Sequence, residues 1–221
     1  MRAMILAAGK GERMGELTRH TSKALLKVQG RYLIEYSLMS LVRAGFTEIV
    51  INVCHFAQQI KDALGHGERY GVSIQYSDEM EALESGGGIF KALPLLGDNP
   101  FLVLSCDVIC HYSLKQLPTN MDHLAHLVLV NNPDFHPRGD FCLKDNKIYL
   151  GTENTLTFGN IGVYHPKLFS DCKPDKFRLG DLLKKAIAAE QVTGEHYTGV
   201  WYNVGKPEQL NQANAYLKIP F

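Results

Sequence analysis

What this sequence lacks narrows its function before any motif is read. No apolar run approaches the roughly 20 residues that a bilayer-spanning helix requires, and the N-terminus runs into a strand with no cleavable leader pattern. A cytoplasmic protein with no membrane partner is therefore expected. An excess of one charge is also missing: 23 Lys and Arg balance 23 Asp and Glu, so the overall field offers no non-specific pull towards nucleic acid. A small-molecule ligand fits better. Five cysteines, an odd number without a C-x-x-C pair, argue against a disulfide framework and a zinc ribbon. Cys106, Cys110 and His111 have no zinc-site spacing and read as structural. Two common phosphate-binding patterns are absent as well. There is no G-x-x-x-x-G-K-[ST], and Met14 stands where the third glycine of G-x-G-x-x-G would fall.

What is present reads as one domain, residues 1–221, with a substantial core at 45% hydrophobic composition. Apolar, β-rich runs at 4–8, 48–54, 72–76, 100–106, 125–131, 159–164 and 199–204 alternate, over the first half, with segments of helical period. Ile34, Leu38, Leu41 and Val42 line one face of a helix over 32–44, which Gly45 ends. Shorter helices are expected over 58–64, 180–190 and 207–217. The fold class is α/β: a Rossmann-like, mostly parallel sheet with helices on both faces and its ligand crevice beyond the carboxyl ends of the strands. The segment 132–158, rich in Asn, Asp and Gly, is expected to be a small inserted lid or subdomain over that crevice.

Four strand ends carry the residues suited to chemistry. Met4 to Ala8 is an apolar strand followed by Gly9 and Gly11, which keep side chains away from backbone N–H groups, while Lys10, Arg13 and Lys23 add positive charge. The combination predicts a triphosphate cradle. Glu84-Ser85-Gly86-Gly87-Gly88 precedes a helical run from Ile89, so three residues without side chains are expected to open onto a helix N-terminus and admit a flat base or a phosphate. Asp107 follows the strand Phe101–Cys106 and puts a hard oxygen at the sheet edge, where magnesium bridging phosphates would sit. Asn203, in Val200-Trp201-Tyr202-Asn203-Val204-Gly205, is a second oxygen donor at another strand end. For Asp107 and Asn203 alike, a turn-capping role is the plainer alternative.

Taken together, these residues resemble the sugar nucleotidyltransferases, which join a nucleoside triphosphate to a sugar 1-phosphate. Leu6 to Met14 reads as the family's L-A-A-G-x-G-x-R-M, Lys23 as its downstream lysine without the flanking prolines, and Asp107 as its strand-end acid. Within the family the likeness is greatest to the uridylyltransferases that act on N-acetylmuramate α-1-phosphate in peptidoglycan recycling. The resemblance implies UTP and a sugar 1-phosphate as partners and Mg²⁺ as cofactor, held by Asp107 and Asn203. Arg13 would meet the β- and γ-phosphates and Lys23 the α-phosphate; Ala7, Ala8, Gly9, Gly11, Gly86 and Gly87 would hold the nucleotide, and Asp140 and Asn160 the sugar. Gly15-Glu16-Leu17 stands where Arg-Pro-Leu is usual, and Asn203 where the nearest subgroup has Asp. Other readings stay open: a hexose 1-phosphate with UTP or GTP, phosphocholine with CTP, or a non-catalytic nucleotide-sugar binder. A chain without a long C-terminal extension is expected to be a monomer or weak dimer.

Overall fold

The computed structural model describes residues 1–217. Its strands are β1 Ala3–Leu6, β2 Lys27–Val28, β3 Arg31–Tyr32, β4 Glu48–Val53, β5 Ser73–Asp78, β6 Phe101–Ser105, β7 Val108–Cys110, β8 Ala125–Val130, β9 Phe141–Lys144, β10 Lys147–Tyr149, β11 Thr155–Tyr164, β12 Val192–Tyr197 and β13 Trp201–Asn203. The α-helices are α1 Leu33–Ala44, α2 Ala57–Leu64, α3 Glu84–Leu96, α4 Leu179–Ala188 and α5 Pro207–Tyr216. None of the described helices is long and apolar enough to cross a membrane.

One mixed sheet organises the chain, in the order β5-β4-β1-β6-β11-β8-β12-β10-β9. Strands β5, β4, β1 and β6 are parallel neighbours, and this half has the expected Rossmann-like character. Beyond β6 the expectation of a mostly parallel sheet fails, because β11 runs antiparallel to both β6 and β8 and only β12 pairs parallel with β8. Apolar runs report burial, and a buried strand reads the same in either direction.

The segment 132–158 is not a detached unit. It supplies β9, β10 and the start of β11, and β9 turns back to pair with β11 at Thr155↔Cys142 and Leu156↔Phe141, closing the last five strands on themselves. Its Asn and Asp content reflects tight turns. Asp145 and Asn146, both with positive φ (49° and 60°), form the two-residue β9–β10 connection, the left-handed pair that matches hairpin twist.

Both faces of the sheet are covered because alternate strand residues point opposite ways. Ala3 and Ile5, with Ile49, Ile51 and Leu104, pack under α1 and α2 through Ile34, Leu38, Leu41, Ile60 and Leu64. Met4, Val50 and Val103 face the other way, against Ile89 and Ala92 of α3 and Leu183 and Ile187 of α4. A third cluster gathers Met14, Val28, Leu33, Tyr36, Val204 and Leu210. Met14, 1% exposed, thereby anchors the glycine loop that follows β1 to the C-terminal part of the chain.

Candidate active site

The carboxyl ends of β1, β4 and β6 open into a cavity of about 760 Å³ lined by Ala7, Ala8, Gly9, Gly11, Arg13, Lys23 and Asp107. Glycine is needed differently at the two loop positions. A Cβ on Gly9 would meet nothing within 4 Å, so its missing side chain leaves the cavity floor open. Gly11 has φ 69°, and a Cβ there would lie 2.9 Å from Lys23 Cβ, so this glycine lets the Lys23 chain pass beneath the loop. Arg13 sits in the short helical turn that follows, Glu12–Thr18, where the Thr18 hydroxyl donates to the Gly11 carbonyl at 3.0 Å.

Lys23 and Asp107, 84 residues apart, meet in a nearly buried ion pair with side chains 13% and 12% exposed. Asp107 occupies the turn between β6 and β7, and its carbonyl accepts the Val204 N–H at 2.8 Å. That contact extends the β7–β13 ladder, in which Asn203 faces Val108, and brings the two expected metal ligands to neighbouring strand ends. Burial alone would raise the Asp107 carboxyl; the Lys23 ammonium and local hydrogen bonds outweigh it and hold the carboxyl below its ordinary range.

Among the described residues, the buried side-chain polar atoms left without a hydrogen-bond partner are Asp107 Oδ1 and Asn203 Oδ1. Two orphaned hard oxygens on neighbouring strand ends suit a magnesium ion whose shell water and phosphate complete. No group of three or more His, Cys, Asp or Glu suited to a metal occurs among the described residues. The neighbouring thiols do not compete: burial pushes Cys106 up to about 12 and Cys110 up to about 11, so both stay protonated.

The glycine-rich segment departs from expectation. Helix α3 begins at Glu84, so Gly86, Gly87 and Gly88 lie inside its first turns and are buried. Their missing side chains make room for protein. A Cβ on Gly86 would fall 2.5 Å from the Phe177 ring, one on Gly87 2.4 Å from the Asp175 carbonyl, and one on Gly88 2.7 Å from Glu79 Oε1. The N–H groups of Gly86 and Gly87 both donate to the Phe177 carbonyl, at 3.0 and 3.1 Å. Helix propensity disfavours three glycines, but the close approach of residues 175–177 decides here. The same approach sets Lys176 and Arg178 into the cavity wall. Neither they nor Arg13 forms an ion pair among the described residues.

A second cavity, of about 380 Å³, adjoins the first and shares Leu6, Arg13, Ser85 and Ser105 with it. Asp140, Asn160, Phe135, Phe158, Trp201 and Asn203 line it. Asn160, φ 57°, sits on the bulge that shifts the β11–β8 register between Phe158 and Gly162, and the Trp201 indole donates to the Gly159 carbonyl at 3.0 Å. Asp140 is more committed to the protein: its two oxygens accept from His136 Nε2 at 3.0 Å and the Phe158 N–H at 2.8 Å. It faces the cavity while tying the 131–140 loop to β11.

Sequence reasoning missed Asn52, Glu79, Lys176 and Arg178 as lining residues. Asn52 was findable, since it stands near the carboxyl end of an apolar strand as Asp107 does. Lys176 and Arg178 carry no such signal, because a polar loop reaches the site only through its docking on α3.

With this geometry in place, comparison with known proteins is specific. A model of the Nucleotidyl transferase family matches residues 2–139. The N-acetylmuramate alpha-1-phosphate uridylyltransferase of Neisseria meningitidis serogroup B is 44% identical over 227 aligned positions, covering 97% of each chain. The protein of the same description from Caulobacter vibrioides is 33% identical, over 97% of this chain and 96% of that one. Among solved structures, a putative glucose-1-phosphate thymidylyltransferase from Bacillus anthracis, in complex with a sucrose, superposes with TM-score 0.90 at 23% identity, covering 100% of this chain and 97% of that one. HddC from Yersinia pseudotuberculosis, complexed with GMP-PN, superposes with TM-score 0.84 at 20% identity, covering 98% and 99%.

Proposed function

We propose, from the premise that this chain belongs to the nucleotidyl transferase family and is a sugar-1-phosphate nucleotidyltransferase, that it joins UTP to N-acetylmuramate α-1-phosphate and releases pyrophosphate. The choice of sugar and base rests on one observation: relatives of that description align end to end with this chain, one of them at 44% identity. The two joined cavities suit the reaction, the larger for the nucleotide and the smaller, with its aromatic wall and Asn160, for the sugar. Asp140 contributes there chiefly by holding the loop that carries Phe135 and His136.

In this reading an oxygen of the sugar phosphate forms a bond to the α-phosphorus of UTP as the bond to the β-phosphate bridging oxygen breaks. The electron pair leaves with pyrophosphate. No general base is required, because the attacking phosphate monoester is already an anion near neutral pH. The chain's own work is positioning and charge neutralisation. The Gly9–Gly11 loop and Arg13 receive the β- and γ-phosphates, and Lys23 meets the charge that develops at the α-phosphate. Asp107 and Asn203 would hold Mg²⁺, which when bound supplies positive charge to the phosphate oxygens. Ala7, Ala8 and the first residues of α3, Glu84 and Ser85, shape the base slot, while Gly86 and Gly87 behind them admit the 175–177 segment. Residues 131–140 act as the cover over the sugar. We place this reaction in the cytoplasm, in the recycling of cell-wall sugars, with the protein acting as a monomer or weak dimer.

The test is pyrophosphate release from a matrix of nucleotides (UTP, CTP, GTP, dTTP) and phosphates (N-acetylmuramate, N-acetylglucosamine and glucose 1-phosphates, phosphocholine). The expected result is the highest kcat/KM for UTP with N-acetylmuramate α-1-phosphate. A higher value for any other pair overturns the assignment.

A further inference from the structure

The loop that covers the sugar cavity is tied down along its backbone, while the side chains it holds over the cavity keep bonding capacity. Asn132 Nδ2 donates to the Thr155 carbonyl at 2.9 Å, its Oδ1 accepts the Thr157 hydroxyl at 2.8 Å, and the Thr155 hydroxyl donates to the Arg138 carbonyl at 2.6 Å. The His136 N–H donates to the Pro133 carbonyl and the Asp140 N–H to the Leu156 carbonyl, each at 2.8 Å. Gly139 lets the loop lie this close to β11: with φ 57°, a Cβ there would fall 2.6 Å from Asn132 Oδ1 and 2.9 Å from the Leu156 carbonyl. The loop is a fixed platform. On it Phe135 remains 49% exposed and the His136 side chain 39% exposed, and both line the cavity.

His136 is held at one ring nitrogen. Its Nε2 meets Asp140 Oδ1 at 3.0 Å, and Nδ1 has no hydrogen-bond partner among the described residues. The imidazolium form donates at both nitrogens, so a residue lining the cavity keeps a charged donor after Asp140 is satisfied. The charge of Asp140 is in turn shared between His136 and the Phe158 N–H, at 2.8 Å. The substrate's own phosphate fixes which part of the sugar meets this platform. Attack at the α-phosphorus puts C1 at the junction of the two cavities, beside Arg13 and Ser105, which line both. The 3- and 4-positions, across the ring from C1, are left to face Phe135, His136 and Asp140, which line the sugar cavity alone. N-acetylmuramate differs from N-acetylglucosamine by a lactyl ether at O3, which adds one carboxylate and one methyl group. A carboxylate gains a charge-assisted hydrogen bond from an imidazolium, and a neutral substituent does not. We propose that His136 pairs with the lactyl carboxylate, beside the apolar face of Phe135, and makes the site favour an acidic sugar over a neutral one. The inference deepens the proposed function and rests on it for the identity of the sugar.

The experiment measures kcat/KM on the full chain, at saturating UTP and Mg²⁺, for N-acetylmuramate α-1-phosphate and for its lactyl carboxamide, which keeps the shape of the substituent and removes its charge. A charge-assisted hydrogen bond predicts that the wild-type protein favours the acid by about 10-fold or more. A preference below about threefold overturns the proposal, and this arm needs no variant to fold. In His136→Leu the acid is expected to lose its advantage, the ratio of acid to amide falling below about threefold. The ratio is taken within one protein, so a change in the folded fraction cancels from it. An equal fall for acid and amide would make His136 a tether of the loop and overturn the reading. The outcome is separable from that of the turnover matrix. If another pair is turned over fastest while the preference for acid over amide is present and disappears in His136→Leu, only the proposed substrate is lost; a muramate preference that survives in His136→Leu removes only the role of His136.

Discussion

Replacing Lys23 by Met removes the ammonium from Asp107 while keeping most of the aliphatic stem that packs beneath Gly11. Both partners are nearly buried, and Asp107 Oδ1 already lacks a hydrogen-bond donor. The substitution therefore strands a carboxylate with neither oxygen compensated by a cation. Breaking a buried pair from one side costs about 3–5 kcal/mol, and in a chain of this size each kcal/mol lowers Tm by roughly 2–4 °C. The metal-free variant is expected to melt about 6–20 °C below the wild type. If Asp107 and Asn203 hold Mg²⁺, the ion replaces the missing charge, and at about 100 times its Kd it returns about 2.7 kcal/mol to the variant. The wild type gains less from Mg²⁺, because Lys23 already neutralises Asp107. The assay is urea or thermal unfolding of both proteins in EDTA and across a Mg²⁺ series, with turnover measured alongside. Turnover should fall about 100-fold or more even where magnesium restores stability, since the charge at the α-phosphate is not restored. A metal-free loss below about 1 kcal/mol, or no greater response to Mg²⁺ than the wild type shows, would refute the reasoning that Lys23 and the metal neutralise the same carboxylate.

Two further outcomes are expected. Asn203→Asp adds a formal charge beside Asp107 and should tighten divalent-ion binding, read by Mn²⁺ titration under electron paramagnetic resonance; unchanged or weaker binding would remove position 203 from the metal site. Gly87→Ala places a methyl group 2.4 Å from the Asp175 carbonyl, so residues 175–178 must move off α3. A loss of about 1–3 kcal/mol in urea unfolding is expected, together with weaker UTP binding as Lys176 and Arg178 shift, and a variant with wild-type stability and affinity would show that this docking does not shape the cavity.

Much of the site was legible along the chain because its parts lie at the ends of apolar strands. Gly9, Gly11, Arg13 and Asp107 follow β1 and β6, whose runs of buried residues place their carboxyl ends at one edge of the sheet. The N-terminal alternation of strand and helix likewise identified the α/β class. The triple glycine shows where such reading stops. Glycine spacing signals that something comes close to the backbone, and the visitor is the Phe177 segment, 91 residues further along, not an open ligand path. The direction of β11, the closure of β9 onto it and the capture of the Ala7 N–H by Asn52 are pairings between distant segments. Hydrophobic periodicity carries no information about them. Residue order by itself determined which side chains are charged, which strands are buried and where each strand releases its chain; only the packed molecule decided which oxygens lose their partners and which backbone donors are consumed. The cause is that hydrogen bonds are satisfied between neighbours in space, and those neighbours exist only once the sheet has assembled.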